Sequence, residues 1–199
     1  MLIIFFFKAL DYKILNPKYL LLLSMSVIIL IGFMGCGKST FGKKLANQLN
    51  YQFMDADDAI EAKYKLKIKD IFSQFGEAHF RKLEEKFILG LDKKQNIILA
   101  TGGGMPCFGK NMELLNQLGT TFYLQRSIPE LVHRLINAKK PRPLIRGKNQ
   151  SELTEFIEEL LPKREVYYLK SHHILNRNQQ NPMFVQVLLN QKSGRSTSD

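Results

Sequence analysis

Residues 32–39 read Gly-Phe-Met-Gly-Cys-Gly-Lys-Ser, the G-x-x-x-x-G-K-[ST] spacing of a phosphate-binding loop. The chemistry follows from the residue types. Gly32, Gly35 and Gly37 let the backbone turn tightly and aim successive N–H groups at a polyphosphate. Lys38 suits the β- and γ-phosphates, and the Ser39 hydroxyl suits Mg²⁺. An apolar run, Val27-Ile28-Ile29-Leu30-Ile31, enters the loop, and a helical pattern through Thr40, Leu45, Ala46 and Leu49 leaves it. A strand before and a helix after are the context this motif requires, and they weigh against a glycine-rich turn without a ligand. The helix N-terminus adds positive potential at the phosphates.

Three more segments carry chemical groups. Asp55 and Asp57 stand two apart at a strand end, where period-2 geometry aims both carboxylates to one side. One carboxylate near Mg²⁺ and another near an acceptor hydroxyl is what phosphoryl transfer needs. The alternative is a helix cap, since Asp57 and Asp58 precede a helical pattern. Phe80-Arg81-Lys82-Leu83-Glu84-Glu85 puts Arg81 within one turn of two carboxylates, a spacing that orients a guanidinium or makes a plain surface ion pair. Gly102-Gly103-Gly104 allows a ligand to approach the backbone closely.

The elements that must position these groups alternate along the chain. Apolar runs predict strands over 27–31, 52–54, 96–100, 121–124 and 173–175. Helical periodicity predicts helices over 38–48, 59–64, 68–74, 76–93, 111–118, 128–137, 152–169 and 181–190. Strands joined by helical crossovers imply an α/β fold, a central parallel sheet with helices on both faces. In such a fold ligands collect beyond the carboxyl ends of the strands. Gly32, Asp55 and Gly102 each follow a strand directly, so three chemically distinct segments converge on one rim. The stretch 138–150 contains Lys139, Lys140, Arg142, Arg146 and Lys148 with two prolines and a glycine, and reads as a mobile surface loop.

The chain has 199 residues, 45% hydrophobic and 24% charged, which suits one globular domain. Its net charge of +11 fits nucleic acid, an anionic membrane surface or small anionic substrates. No block interleaves basic and exposed aromatic residues, which argues against nucleic acid; two polyanionic ligands in one cleft account for part of the charge. The cysteines are Cys36 and Cys107, and a disulfide at Cys36 would obstruct the loop, so a reducing cytoplasmic location is expected. His79, His133, His172 and His173 lack metal-ligand spacing. Residues 1–24 have neither a basic n-region nor a cleavage site. The apolar stretch 19–31 is too short to cross a bilayer, so no stable membrane insertion is expected, a peripheral contact being the alternative. We expect Met25 to be the initiator, 25–190 to form a single domain and 191–199 to be disordered.

In this order, G-F-M-G-C-G-K-S, D-A-D, F-R-K-L-E-E, T-G-G-G, R-P-L and K-R-x-x-Y resemble the shikimate kinase family over about residues 26–190. The resemblance implies a three-layer αβα sandwich with a five-stranded parallel sheet, of the P-loop, nucleoside-monophosphate-kinase class. It implies ATP as co-substrate, Mg²⁺, a lid at about 138–150, and phosphorylation of the shikimate 3-hydroxyl on the cytoplasmic route to chorismate and aromatic amino acids. Gly35, Cys36, Gly37, Lys38, Ser39 and Thr40 then match the ATP-binding stretch, and Ser39 and Asp55 the metal site. Asp57 matches the acceptor-binding base, and Lys38 and Arg142, the lid arginine, match groups acting on the phosphates. Arg81 and Arg164 match the pair holding the shikimate carboxylate, with Glu84 orienting Arg81 and Gly102, Gly103 and Gly104 lining the substrate. Arg134 matches an adenine-stacking residue. The chain is expected to act as a monomer.

Two departures stand out. Where the family often places an arginine beside adenine, the segment reads Asn176-Arg177-Asn178-Gln179-Gln180-Asn181-Pro182, with Gln180 near that position. Cys36 stands where a small non-thiol residue is usual; a helix N-terminus favours thiolate, so ATP-protected alkylation is expected. The rival readings are a kinase of another small polyol acid such as gluconate, and a catalytically inactive nucleotide-binding relative.

Overall fold

The computed structural model describes residues 26–138 and 143–193. Five strands, β1 (Val27–Ile31), β2 (Gln52–Asp55), β3 (Ile97–Ala100), β4 (Thr120–Leu124) and β5 (His173–Leu175), form one sheet in the order β2-β3-β1-β4-β5. Every pairing is parallel, with Ile29 opposite Leu99 on one side and Thr121 on the other. All five residues of β1 and all four of β3 are buried. Continuous apolar runs replace alternation here because helices cover both faces of the central strands.

The helices are α1 (Lys38–Leu49), α2 (Ala56–Tyr64), α3 (Ile68–Leu89), α4 (Asn111–Leu118), α5 (Ile128–Ile136), α6 (Gln150–Tyr168) and α7 (Pro182–Ser193). Local capping chemistry explains where several of them differ from the sequence expectation. Helix α2 starts at Ala56 rather than 59 because the Asp55 side chain accepts from the Asp57 N–H and caps it. The expected pair 68–74 and 76–93 joins end to end in α3, with Gly76 non-helical at φ 76° and the last helical residue at Leu89. Reciprocal hydrogen bonds between Asn149 and Glu152 start α6 at Gln150. Helix α7 continues to Ser193, into the stretch expected to be disordered. Of the expected loop 138–150, residues 139–142 lie outside the described residues, as does the 1–24 segment; a short 3₁₀ turn spans Pro143–Ile145.

The strand order decides where ligands can bind. From β1 the chain moves to the β2 edge, whereas from β3 it crosses β1 to reach β4. The loops after the neighbouring strands β1 and β3 therefore leave in opposite directions and open a crevice between them. Tight backbone packing holds the opposite end of the sheet. A Cβ at Gly119, just before β4, would lie 2.0 Å from the Val27 carbonyl oxygen of β1. Gly119→Ala must push two sheet neighbours apart. The expected loss is about 1–3 kcal/mol or more, read from the urea midpoint; an unchanged midpoint would show that the strands part freely.

Candidate active site

The phosphate loop between β1 and α1 adopts backbone angles that favour glycine: φ is 146° at Gly32, 81° at Gly35 and 106° at Gly37. Helix α1 begins without a side-chain cap and with no acidic residue in its first turn. Its leading N–H groups, on Lys38, Ser39 and Thr40, are thus left to an anion. The Lys38 ammonium lies across the loop, donating to the Gly32 carbonyl at 2.7 Å and the Phe33 carbonyl at 3.1 Å. From α5, Arg134 donates through Nε to the Gly35 carbonyl at 2.7 Å, and its Nη2 is 3.1 Å from where a Gly37 Cβ would sit. Arg134 therefore braces the phosphate loop itself.

Cys36 is 1% exposed, its sulfur facing Lys38 Nζ at 3.7 Å. Burial of the sulfur leaves little thiol surface for the alkylation expected at this position. Gln180 is equally committed to the fold. Its amide N–H groups go to the carbonyls of Gln125 and Leu175, both at 3.0 Å, and its oxygen accepts from Arg126 Nη2. Arg142 lies outside the described residues.

Beside the loop, the Ser39 hydroxyl donates to Asp55 Oδ2 at 2.8 Å, while Asp55 Oδ1 accepts from the Asp57 N–H at 3.2 Å. Asp55 thus both caps α2 and joins the loop. A hydroxyl and a carboxylate are hard oxygen donors that fit Mg²⁺. Among the described residues no group of three or more His, Cys, Asp or Glu could hold a metal. The remaining ligands would come from phosphate oxygens and water, as is usual for Mg²⁺.

The glycine run after β3 faces three charged side chains in turn. A Cβ on Gly102 would lie 2.6 Å from Asp57 Oδ1. One on Gly103 would lie 3.5 Å from Arg164 Nη1 and 3.3 Å from the Met34 backbone nitrogen of the phosphate loop. One on Gly104 would lie 3.0 Å from both Nη1 and Nη2 of Arg81. The space that three side chains would fill is a cradle bounded by one acid and two guanidinium groups. The Tyr168 hydroxyl donates to the Gly103 carbonyl at 2.5 Å, and Tyr168 is fully buried. Arg164 and Tyr168 are four apart on α6, so one helical face carries both the cation and the clamp.

Arg81 is held from several sides. Nη1 donates to Glu84 at 2.7 Å, Nε and Nη2 both donate to Glu77, and the guanidinium lies 3.8 Å from the Phe108 ring centroid. Glu84 is 1% exposed; burial pushes its carboxyl up to about 7, against the pull of Arg81. Reading the sequence missed Glu77, Phe108 and Tyr168. Glu77 precedes Arg81 by four within the same expected helix, 76–93, so the helical spacing that points to Glu84 could have found it too. Tyr168 follows Arg164 by four. No local signal marks Phe108, which folding alone brings over Arg81.

Two consequences are measurable. Glu84 binds its proton more tightly when folded, so its contribution is complete below about pH 4.5 and fades as pH rises through about 7. Glu84→Gln should flatten that stretch of the stability–pH profile in urea titrations; parallel profiles would show that Glu84 is not its source. Tyr168→Phe removes the hydroxyl from the part-buried Gly103 carbonyl, leaving it the Cys107 thiol at 3.9 Å, and should cost about 0.5–1.5 kcal/mol in the same measurement.

The shikimate kinase family model matches residues 34–192. The shikimate kinase of Azobacteroides pseudotrichonymphae is 49% identical over 145 residues, 72% of this chain and 85% of that protein. The Bacteroides fragilis enzyme is 41% identical over 147 residues, 74% of this chain and 82% of the relative. Among solved structures, shikimate kinase from Bacteroides thetaiotaomicron superposes with a TM-score of 0.74 at 34% identity, covering 87% of this chain and 99% of that one. A shikimate kinase from Acinetobacter baumannii in complex with shikimate gives 0.69 at 30% identity, covering 86% and 95%. With its phosphate loop, its Ser39–Asp55 pair and its glycine cradle in one crevice of a five-stranded parallel sheet, this chain belongs to the shikimate kinase family.

Proposed function

We propose that this protein transfers the terminal phosphoryl group of ATP to the 3-hydroxyl of shikimate, giving shikimate 3-phosphate and ADP. The observation that carries the reading is the place of Gly103, where an added Cβ would stand 3.3 Å from the Met34 nitrogen of the phosphate loop and 3.5 Å from Arg164 Nη1 of the acceptor cradle. A phosphate on one side and a carboxylic acid on the other then share a single backbone spacer. The family match and the shikimate bound to the Acinetobacter baumannii relative support that choice of acceptor.

Each residue has a definite task. The amides of Gly35, Cys36, Gly37, Lys38, Ser39 and Thr40 receive the phosphates, and the Lys38 ammonium turns from the Gly32 and Phe33 carbonyls to the β- and γ-oxygens. Ser39 and Asp55 would hold Mg²⁺, which when bound neutralises charge on the phosphate oxygens. Arg81 and Arg164 grip the shikimate carboxylate; a planar fork matches that group better than an ammonium does. Asp57 takes the proton of the 3-hydroxyl as the oxygen bonds to the γ-phosphorus and the bond to the β-phosphate oxygen breaks. Arg142, by resemblance, meets the phosphates from the basic 138–150 segment, whose closure excludes water.

The protein acts as a monomer in the cytoplasm, on the route to chorismate and the aromatic amino acids. No helix among the described residues is long and apolar enough to cross a membrane.

Coupled ADP release with shikimate, with gluconate and with no acceptor tests the assignment. Shikimate-dependent turnover alone is expected; equal rates in all three would reject it. Asp57→Asn should lower kcat by about 10²–10⁴ while ATP affinity holds. An unchanged kcat would remove Asp57 from the base role.

A further inference from the structure

A guanidinium offers five N–H donors. On Arg81, Nε–H and one hydrogen of Nη2 go to Glu77 Oε1, at 3.2 and 2.7 Å. One hydrogen of Nη1 goes to Glu84 Oε2 at 2.7 Å. Among the described residues this leaves one hydrogen on Nη1 and one on Nη2. Those two nitrogens are equidistant, at 3.0 Å, from the point where a Gly104 Cβ would stand. That distance is where a carboxylate oxygen accepts from a guanidinium. Phe108 against the guanidinium at 3.8 Å restrains its tilt.

We propose that Glu77 is a positioning residue for the acceptor. Together with Glu84 it brackets Arg81, so that only the terminal Nη1/Nη2 fork is left for the substrate carboxylate. The two carboxylates differ in kind. Glu84 is buried, and its removal would disturb the core around α3. Glu77 is 55% exposed and touches Arg81 from the solvent side. Glu77 can therefore be changed without cost to packing, and any effect on the acceptor must pass through the guanidinium. Without Glu77, the Nε/Nη2 edge loses its partner and the guanidinium is freer to turn away from the acceptor. The fork must then be fixed as the acid binds, which weakens binding of the acid without altering the reactive geometry once it is bound. The inference rests on the assignment of Arg81 to the shikimate carboxylate.

Steady-state kinetics on the full chain with shikimate and MgATP tests it, using Glu77→Ala and Glu77→Gln. Glu77→Ala should raise KM for shikimate about tenfold, leaving kcat and KM for ATP within about twofold and thermal stability unchanged. Glu77→Gln keeps an oxygen that accepts from Nε and Nη2 and should recover most of the lost affinity. An unchanged or lowered KM for shikimate in Glu77→Ala would overturn the proposal, the lowered value marking Glu77 as a competitor for the fork. Equal losses against shikimate and ATP would overturn it as well, since a general structural defect would then suffice. Failure of the wild-type protein to turn over shikimate would instead defeat the assignment of function, which keeps the two failures apart.

Discussion

The absence of three consecutive Cβ atoms after β3 sets how closely Asp57, Arg164 and Arg81 approach the backbone of the crevice. Methyl groups there would meet Asp57 at 2.6 Å, Arg164 at 3.5 Å and Arg81 at 3.0 Å. The backbone can come so close only because the residues are glycines, and Gly103 is then locked through its carbonyl by Tyr168. A loose glycine run would carry a large conformational entropy. The tyrosine clamp from α6 and the parallel neighbours of β3 remove that freedom before any ligand arrives.

Electrostatics works through restraint here. The cradle brings Arg81 and Arg164 into a crevice that also contains the Lys38 ammonium. Like charges this near repel, and each is offset locally. Arg81 has Glu84 and Glu77, Lys38 has two carbonyls, and Arg164 lies 5.7 Å from the Phe33 ring centroid. A guanidinium already held by carboxylates loses less freedom when it meets a ligand, which is the general advantage of preorganisation. The accompanying cost is a carboxylate at Glu84 sealed from water and reluctant to ionise.

Much of this molecule is legible one residue at a time. The phosphate loop, the Asp55–Asp57 step and the five strands follow from spacing because strand, turn and helix-start preferences act over a few residues. Arg81 and Glu84 are legible for the same reason, being neighbours on one helix. Chain order alone could place the phosphate loop, the Asp55–Asp57 step and the glycine run at the carboxyl rim of a parallel sheet, since every strand there ends on the same side.

Contacts between segments distant in sequence required the folded chain. Nothing within a few residues of Gly103 names Tyr168, and nothing near Arg81 names Phe108; both pairs meet because α3, α6 and the turn after β3 pack against one another. The burial of Cys36 and the capture of Gln180 by Arg126 have the same origin. Solvent exposure and donor occupancy are properties of an assembled surface. Backbone preference and side-chain chemistry belong to the residue itself, so the motif could be read before the partners that hold it could be known.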